Sequence, residues 1–369
     1  MTLVYYILGI TIFALFISKT TNSVPVKKQT IVLNNSPINI KKTAFIFVVL
    51  WIIFSILMGF REGFVDTSTY KLMVNRIGED FSNLNNPTSQ KIEVGFNIWM
   101  ILCNIVSNSN DQFFIFITTA ITLAIAFLYL YKDSIDGVFS IFIFITLYSF
   151  TFINGIRQAL VAVILSLAYQ KYKNRAFIMI FICVLLSIFH SSVLLFIPIY
   201  FCIQGSFFNW KTKVFFVFAL LCVLAPGSIN WLLDSILSDK YMETLSSVDY
   251  GAGIIRILIN SLPCILMLLA RRFANNKETQ FDEMDNILLL DFAVNFCSVS
   301  STYFARMSIY FGLFVCAYYP TVIKRVFQKR SQGLAIFIFT AFYSAFYLYQ
   351  AFTFENYGYL REFYLTFMK

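Results

Sequence analysis

Long apolar segments, separated by short polar ones, make up most of this 369-residue chain. A transmembrane helix needs about twenty consecutive apolar residues, within a range of about 17–25, to cross the hydrocarbon core of a bilayer. Ten segments reach or approach that length, and each predicts a membrane-spanning helix. They are 2–18, 43–60, 112–131, 137–153, 155–170, 213–232, 254–270, 286–301, 303–323 and 333–352. The pattern predicts an all-α polytopic membrane protein.

Two further apolar segments, 94–107 and 176–203, have lengths that do not fit one crossing each. Lys and Arg concentrate in the short cytoplasmic loops of membrane proteins, so one topology should place all the basic clusters on the same side. That condition holds if 94–107 is a re-entrant or interfacial segment and 176–203 makes two short crossings that turn near His190. The asparagines Asn97 and Asn104 inside the first segment favour the same interpretation.

The resulting topology has about twelve transmembrane helices, with both termini outside. Residues 61–93 and 233–253 become outer loops, and residues 1–369 form a single integral membrane domain. In this topology more acidic residues fall on the outer side than on the inner side. The basic clusters on the inner side are Lys19/Lys27/Lys28/Lys41/Lys42, Lys171/Lys173/Arg175, Lys211/Lys213, Arg271/Arg272/Lys277 and Lys324/Arg325/Lys329/Arg330.

Composition supports the membrane assignment and excludes other classes. The chain is 59% hydrophobic and 13% charged, whereas a soluble domain has about 25% charged residues. The net charge of +9 comes from short clusters between apolar segments rather than from a basic face, so no nucleic acid partner is expected. The seven cysteines lie inside apolar segments without metal or redox spacing, and the single histidine excludes a multi-histidine metal site.

A set of polar residues from distant parts of the chain falls at the outer surface or just beneath it in this topology. Such residues at membrane depth are costly unless they face a water-filled cavity, which makes a functional interpretation the default. Arginine binds phosphate groups bidentately, so the arginines of the set predict a phosphate or diphosphate ligand. The set is Arg61, Glu62, Asp66, Tyr70, Glu93, Arg157, His190, Arg256 and Arg306.

Several of these residues also have a purely structural interpretation. Arg61 and Glu62 fit interfacial anchors, because arginine side chains near helix ends extend toward the lipid headgroups. Asp66 and Tyr70 are one helical turn apart and fit a local pair. His190 fits an interfacial polar residue as well as a general acid or base. The residues alone leave these alternatives open.

Two arginines favour a functional role more strongly. Arg157 begins the helix predicted at 155–170, where a cation opposes the helix dipole, and an anionic ligand would offset that unfavourable interaction. A snorkelling side chain is the alternative for Arg157. Arg306 has no acidic neighbour in sequence, so its partner comes from elsewhere in the fold or from a ligand.

The chain lacks the motifs of nucleotide and metal chemistry. It has no phosphate-binding loop of the Walker type, no dinucleotide fingerprint, no HExxH and no DxD carboxylate pair. The nearest approach to a carboxylate pair is Asp282-Glu283-Met284-Asp285, in a short predicted inner loop. We therefore expect no metal, no cofactor and no use of ATP, NAD or a nucleotide sugar.

In order and spacing, five short elements resemble the EpsG-like branch of Wzy-type O-antigen and exopolysaccharide polymerases. The resemblance covers roughly residues 45–310, and Phe64 departs from it where the family usually has a glycine. The elements are Gly59-x-Arg61 with Asp66-Thr67-x-x-Tyr70, then Glu93-x-Gly95-Phe96, Ile156-Arg157-Gln158-Ala159-Leu160-x-Ala162, and His190-Ser191-Ser192-Val193-Leu194.

The resemblance implies a multi-pass protein of the bacterial inner membrane that joins lipid-linked oligosaccharide repeat units at the periplasmic face. Donor and acceptor would both be undecaprenyl-diphosphate-linked oligosaccharides, and the enzyme a metal-independent glycosyltransferase of GT-C-type architecture. Membrane lipids and a chain-length regulator protein are the other expected partners. Because the leaving group is already a lipid diphosphate, the reaction needs neither a nucleotide nor a metal.

Roles for the outer residues follow from this chemistry. Arg157 and Arg306, supported by Arg61 or Arg256, would bind the diphosphate and stabilise its developing charge, with Tyr70 as a further substrate contact. The proton acceptor for the attacking hydroxyl would be one of three residues that the sequence does not rank. These are His190, Asp66 and Glu93.

Two other functions remain as alternatives. An O-antigen ligase shares the lipid-diphosphate donor but usually has a larger periplasmic loop near its functional histidine, and the loop at 233–253 is short. A transporter or flippase of lipid-linked oligosaccharide typically shows an internal repeat and charges along a central path. The sequence has no convincing repeat, and Asp291 is the acidic residue that lies well inside an apolar segment.

Overall fold

The computed structural model describes residues 2–20, 37–85, 92–224, 253–273, 279–299, 302–361 and 363–366. Within them the chain forms fifteen α-helices, three short 3-10 helices and one isolated bridge. The first eight helices are α1 (Thr2–Thr20), α2 (Pro37–Gly59), α3 (Thr67–Ile77), α4 (Val94–Ser107), α5 (Asp111–Asp133), α6 (Gly137–Asn154), α7 (Ile156–Tyr172) and α8 (Ala176–Ser187). The others are α9 (Phe196–Ile203), α10 (Trp210–Leu224), α11 (Ile254–Phe273), α12 (Asp282–Cys297), α13 (Thr302–Met307), α14 (Ile309–Val326) and α15 (Gln332–Asn356).

Helices α6 and α14 form the centre of the bundle. A helix that is apolar on all sides is typically buried. In the most apolar 18-residue stretch of α6, 83% of the residues are buried, against 33% in that of α15 at the periphery. Polar side chains cap the starts of α5 and α6. Asn110 Oδ1 accepts the Phe113 amide at 3.1 Å before α5, and Asp136 Oδ1 accepts the Phe139 amide at 3.3 Å before α6. Peripheral helices expose large apolar side chains, as expected for surfaces in contact with lipid.

Within the described ranges, five helices are long and apolar enough to cross a membrane: α1, α5, α6, α11 and α15. Each corresponds to a predicted spanning segment, so the chain is an all-helical, membrane-embedded protein. The number of about twelve crossings stays a prediction, because the other segments form shorter or more charged helices. The predicted crossing at 213–232 is described only to residue 224, and the predicted loop at 233–253 lies outside the described residues except for Gly253.

The two ambiguous segments differ in outcome. Helix α4 covers 94–107 and, at about 1.5 Å per residue, is about 21 Å long, shorter than the hydrocarbon core of about 30 Å. Its interfacial position remains a prediction. The segment 176–203 breaks into α8, a 3-10 helix at Ser191–Leu195 and α9. Because Tyr200 Oη donates a 2.7 Å hydrogen bond to the carbonyl of Lys173, the chain returns on itself, and the predicted turn near His190 is confirmed.

Other predicted boundaries need correction. The predicted outer loop 61–93 contains α3, which packs on α4 and α5 through a buried face that includes Tyr70 and Val74. The position of this segment outside the membrane stays a prediction. The predicted helix 303–323 is divided into α13 and α14 at Ser308. Helix α12 begins at Asp282 rather than 286 because its first turn binds groups from other helices.

That first turn forms what we call the Asp285 cluster: Asp285, Arg271, Arg325, Tyr318 and Asp282. The Asp285 carboxylate is fully buried and accepts hydrogen bonds from Arg325 Nη1 at 2.8 Å and Tyr318 Oη at 2.7 Å. Arg325 Nη2 donates to its second oxygen at 3.2 Å, as does Arg271 Nε, and Arg271 Nη2 binds Asp282. These contacts hold together one end of α11, α12 and α14.

Predicted inner clusters meet at this end of the bundle. Lys173 Nζ and Tyr169 Oη donate to the two oxygens of Glu283 at 2.6 and 2.7 Å. An ion pair joins Lys19, at the end of α1, to Asp136, at the start of α6. Because Glu283 is two residues before Asp285, Lys173, Arg271 and Arg325 all bind the first turn of α12.

The carboxy-terminal segment 363–366 returns to the end of α2. The Thr366 amide donates to the carbonyl of Phe60 at 2.8 Å, and the Glu62 amide donates to the carbonyl of Tyr364 at 2.8 Å. An isolated antiparallel bridge pairs Arg61 with Leu365. This segment therefore supports the turn that leads into α3.

Candidate functional site

Glu93 is the centre of a polar group that joins three distant parts of the chain. Its Oε2 accepts a 2.7 Å hydrogen bond from Arg157 Nη1, at the start of α7. Its Oε1 accepts the amide and the hydroxyl of Ser191, both at 3.1 Å. His190 Nδ1 lies 3.3 Å from the same oxygen but is too poorly aligned for a hydrogen bond. We call these four residues the Glu93 cluster.

Gly95 explains how Glu93 reaches the turn at His190. The Gly95 amide donates to the carbonyl of Ile188 at 2.9 Å. A Cβ atom at position 95 would lie 2.8 Å from Ile188 Cγ2 and 2.9 Å from the Ile188 carbonyl oxygen, so only glycine fits without displacing the turn. The spacing Glu93-x-Gly95 therefore puts the carboxylate at the start of α4 directly against the 188–191 turn.

The electrostatics of the cluster keep Glu93 ionised. Burial by itself would raise the pKa of Glu93, but the close approach of His190, the charge of Arg157 and the Ser191 amide together hold that pKa well below its usual range. A carboxylate so stabilised is a poor proton acceptor at neutral pH. Its geometry suits a group that holds Arg157 and the His190 turn in place.

Two buried polar atoms of the cluster have no hydrogen-bond partner in the part of the chain that the structure describes: Arg157 Nε and His190 Nδ1. The Arg157 guanidinium also lies over the rings of Tyr70 and Phe96, with its central carbon 6.0 and 5.8 Å from their centroids. A buried donor without an acceptor costs about 1–3 kcal/mol. The exposed fraction of the Arg157 side chain is 23%, so part of this side chain is open to solvent although Nε itself is buried.

Asp66 and Arg306 lie close to this cluster. The half-buried Asp66 carboxylate interacts electrostatically with Arg306 and Arg157, and its amide donates to Asn154 Oδ1 at 3.1 Å. The Arg306 side chain is exposed, and its carbonyl accepts a 3.0 Å hydrogen bond from Gln158 Nε2, next to Arg157. The structure thus brings Asp66, Glu93, Arg157 and Arg306 to one end of the bundle, together with His190.

Arg61 occupies a different position from the one that its predicted role requires. It is fully buried, and its Nε donates to Thr67 Oγ1 at 3.0 Å while Nη2 donates to the carbonyl of Ile153 at 2.8 Å. Its Nη1 donates to the Met58 carbonyl. Burial lowers the pKa of Arg61 to about 9, so the group stays charged at neutral pH. The predicted direct contact with substrate does not fit this geometry, because the guanidinium has no accessible face.

Arg256 is also separate from the Glu93 cluster. It lies in the first turn of α11 and interacts electrostatically with Tyr148 of α6 and Asp291 of α12. Asp291 in turn accepts Asn295 Nδ2 at 3.0 Å. The predicted support of Arg157 by Arg256 is not seen among the described residues. Arg256 instead belongs to a buried polar seam between α11 and α12.

The sequence interpretation missed several contacts that shape the site. Ser191 supplies two donors to Glu93, and Gln158 and Asn154 hold the backbones of Arg306 and Asp66. A 2.7 Å hydrogen bond joins the buried hydroxyls of Ser192 and Tyr310. Gln158 directly follows Arg157, and the two serines directly follow His190. Their position next to these candidate residues was the sequence feature that could have indicated their role.

Most of the chain matches one known protein family. A model of the EpsG family matches residues 44–364, which is nearly the whole chain and includes every residue of the site. No curated protein and no solved structure matches the chain. The chain belongs to the EpsG family, which is associated with Wzy-type polymerases.

Proposed function

We propose that the protein is a polysaccharide polymerase that joins undecaprenyl-diphosphate-linked repeat units into O-antigen, capsule or exopolysaccharide chains. The observation that carries this proposal is the state of Arg157: in a chain of the EpsG family, its Nε is buried without an acceptor, beside a second arginine, Arg306. A phosphate oxygen supplies the missing acceptor, and two guanidinium groups match the charge of a diphosphate.

The reaction at this site is a glycosyl transfer. An acceptor sugar hydroxyl attacks the anomeric carbon of the donor, and the bond from that carbon to the diphosphate oxygen breaks. Arg157 and Arg306 stabilise the negative charge that develops on the leaving diphosphate, which is the role a metal ion has in many nucleotide-sugar enzymes. Glu93 holds Arg157 in the required orientation through the 2.7 Å hydrogen bond.

The proposal includes a location. We place the Glu93 cluster at the periplasmic face of the bacterial inner membrane and the Asp285 cluster at the cytoplasmic face, in a GT-C-type bundle of about twelve crossings. Support comes from the separation of the two sets of contacts: predicted inner basic residues meet around Asp285 and Glu283, whereas the predicted outer residues meet around Glu93.

Complementation of a polymerase-null strain tests the function. The wild-type gene should restore a ladder of chain lengths, and Arg157→Ala and Arg306→Ala should restore only single capped units at equal protein level. Arg330→Ala, an exposed arginine at the other end of the bundle, is the matched control and should give the full ladder. Full ladders from both site variants would contradict the proposal. Loss of all surface glycan, including single units, would point to a ligase or a flippase instead.

A further inference from the structure

The turn between α2 and α3 has a strained backbone. Val65, immediately before Asp66, has a φ of 43°, in the left-handed region. This conformation is a clear outlier for a β-branched residue, because its Cβ approaches the neighbouring backbone too closely. Such strain persists only where the surroundings determine it, and it often lies beside functional residues. Contacts from the rest of the bundle must therefore stabilise this turn.

Arg61 holds the turn from inside the bundle. Its Nε donates to Thr67 Oγ1 at 3.0 Å, and that hydroxyl donates to the carbonyl of Phe64 at 2.9 Å. The Thr67 amide donates to the same carbonyl at 2.9 Å. Because the guanidinium also binds the ends of α2 and α6, through the carbonyls of Met58 and Ile153, the turn is fixed to two helices at once.

Asp66 is half-buried, and its position is set through its backbone. Its amide is bound by Asn154 and its carbonyl accepts the Tyr70 amide at 3.0 Å, so the backbone is fixed on both sides. Asp66 is the residue before α3, where an aspartate usually caps the helix, yet its side chain makes no capping hydrogen bond. Among the described residues, the Asp66 carboxylate has neither a hydrogen bond nor an ion pair. Neither oxygen is therefore committed to a partner in this part of the chain.

The other two candidates for the proton acceptor are differently placed. The Glu93 carboxylate already accepts from Arg157 and Ser191, and His190 turns Nδ1 toward the same carboxylate. Glu93 binds Arg157, and His190 lies against Glu93. Asp66 lies near Arg157 and Arg306 without pairing with either, as expected for a carboxylate beside a diphosphate rather than bound to the guanidinium groups.

We propose that Asp66 accepts the proton of the attacking sugar hydroxyl and that Arg61 is the positioning residue that fixes the turn presenting it. This inference rests on the proposed polymerase function. The acceptor oxygen forms its bond to the anomeric carbon, the bond from that carbon to the diphosphate breaks with its electron pair on the polyprenyl diphosphate, and the proton passes to the Asp66 carboxylate.

The pH dependence follows from the surroundings of Asp66. Burial raises the pKa of Asp66, while Arg306 on α13 and Arg157 on α7 act in the opposite direction, and the net effect is a rise. The ionised form is the active one, so the rate should fall as the pH falls through this raised pKa. Asp66→Asn should remove this acidic limb together with the activity that depends on it.

Reconstituted protein with a purified lipid-linked repeat unit tests the assignment. Asp66→Asn should lower the polymerisation rate at least about 100-fold while the binding of the lipid-linked unit stays within about twofold. Formate should restore part of the rate of Asp66→Ala, which a purely structural role would not allow. Glu79→Gln, an exposed carboxylate just after α3 that accepts a 2.8 Å hydrogen bond from Ser109, is the matched control and should keep its rate.

The outcomes separate the two proposals. If wild-type protein binds the unit but makes no polymer, the proposed function is overturned, and this assignment with it. If wild type polymerises and Asp66→Asn keeps more than about a tenth of its rate from about pH 5.5 to 8, the assignment alone is overturned. Loss of binding in Asp66→Asn, or no rescue of Asp66→Ala by formate, would also overturn it.

Arg61→Lys tests the positioning role. Lysine keeps the charge but has one nitrogen in place of the three guanidinium nitrogens that bind Thr67 and the two carbonyls separately. The turnover rate should fall about tenfold with an unchanged KM, and the acidic limb of the pH profile should remain, because Asp66 is still present. A raised KM with an unchanged turnover rate would show that Arg61 contributes to substrate binding instead, and would overturn the positioning role.

Discussion

The Asp285 cluster and the Glu93 cluster are both centred on a carboxylate that binds arginine, but they differ in how completely their donors are used. At Asp285, two arginines and Tyr318 surround a fully buried carboxylate, and Arg325 binds it with two nitrogens. At Glu93, Arg157 binds with one nitrogen and its Nε has no partner.

Aromatic rings sharpen this difference. The Arg271 and Arg325 guanidinium groups lie over the rings of Phe207 and Phe281 at 3.9 and 4.3 Å from the centroids, and these side chains are only 6 and 7% exposed. Arg157 is about 6 Å from its two rings. A saturated ionic network inside a membrane protein stabilises the fold, whereas an unsaturated one retains binding capacity for a ligand. The two clusters should therefore respond differently to substitution.

Asp285→Ala should have the largest effect on stability. It leaves Arg271 and Arg325 buried without their carboxylate, a change that typically costs about 3–5 kcal/mol. Thermal unfolding in detergent should show a large drop in midpoint. Lys173→Ala, which removes one partner from the more exposed Glu283 pair, is the control and should cost no more than about 1 kcal/mol. Equal midpoints for the two variants would remove the distinction between the clusters.

Arg157→Ala should show the opposite pattern. Loss of one group that stabilises the developing charge should lower the polymerisation rate about 10²–10³-fold, or about 2.7–4 kcal/mol of transition-state stabilisation. Its unfolding midpoint should stay close to wild type, because one unsatisfied donor leaves together with one ion pair. A midpoint as low as that of Asp285→Ala would mean that the Glu93 cluster is structural as well.

Gly95→Ala should produce an intermediate effect. The added Cβ lies within 3 Å of the side chain and carbonyl of Ile188, so the start of α4 must move away from the turn that carries His190. We expect a cost of about 1–3 kcal/mol and a lower polymerisation rate, measured in the same two assays. Gly9→Ala, in α1, where a Cβ meets nothing within 4 Å, should be neutral or slightly stabilising.

Removal of the hydroxyl pair between Ser192 and Tyr310 should have the smallest effect. A double-mutant cycle of Ser192→Ala and Tyr310→Phe should give a coupling energy of about 0.5–1.5 kcal/mol in unfolding experiments. A coupling near zero would show that the 2.7 Å contact does not help to hold the turn after His190.

The sequence was sufficient to predict most of the long helices and part of the outer group of residues. Apolar length and the distribution of basic residues located the turn at His190, and the same topology grouped Glu93, Arg157 and His190 before any contact was known. These predictions succeed because the length of a span and the side of a charge are properties of single segments.

Other features depend on how segments pack, and the sequence could not supply them. The sequence around Arg61 would be the same whether its side chain extended to the lipid headgroups or turned into the bundle. Its inward position depends on Thr67 and the carbonyl of Ile153. Arg256 turns toward Asp291 because of the rotation of α11 against α12. The first turn of α12 looked like loop because its partners, Arg271 and Arg325, follow from tertiary structure alone.

The pairing of residues 363–366 with the end of α2 bears on how the topology of this protein should be mapped. Reporter enzymes are commonly fused to progressively truncated membrane proteins, and every truncation before residue 363 removes the strand-like partner of Phe60 and Glu62. In such fusions the turn before Asp66 lacks the hydrogen bonds that residues 364 and 366 supply. Reporters inserted into the full-length chain, or single-cysteine labelling, keep that support and give the more faithful map.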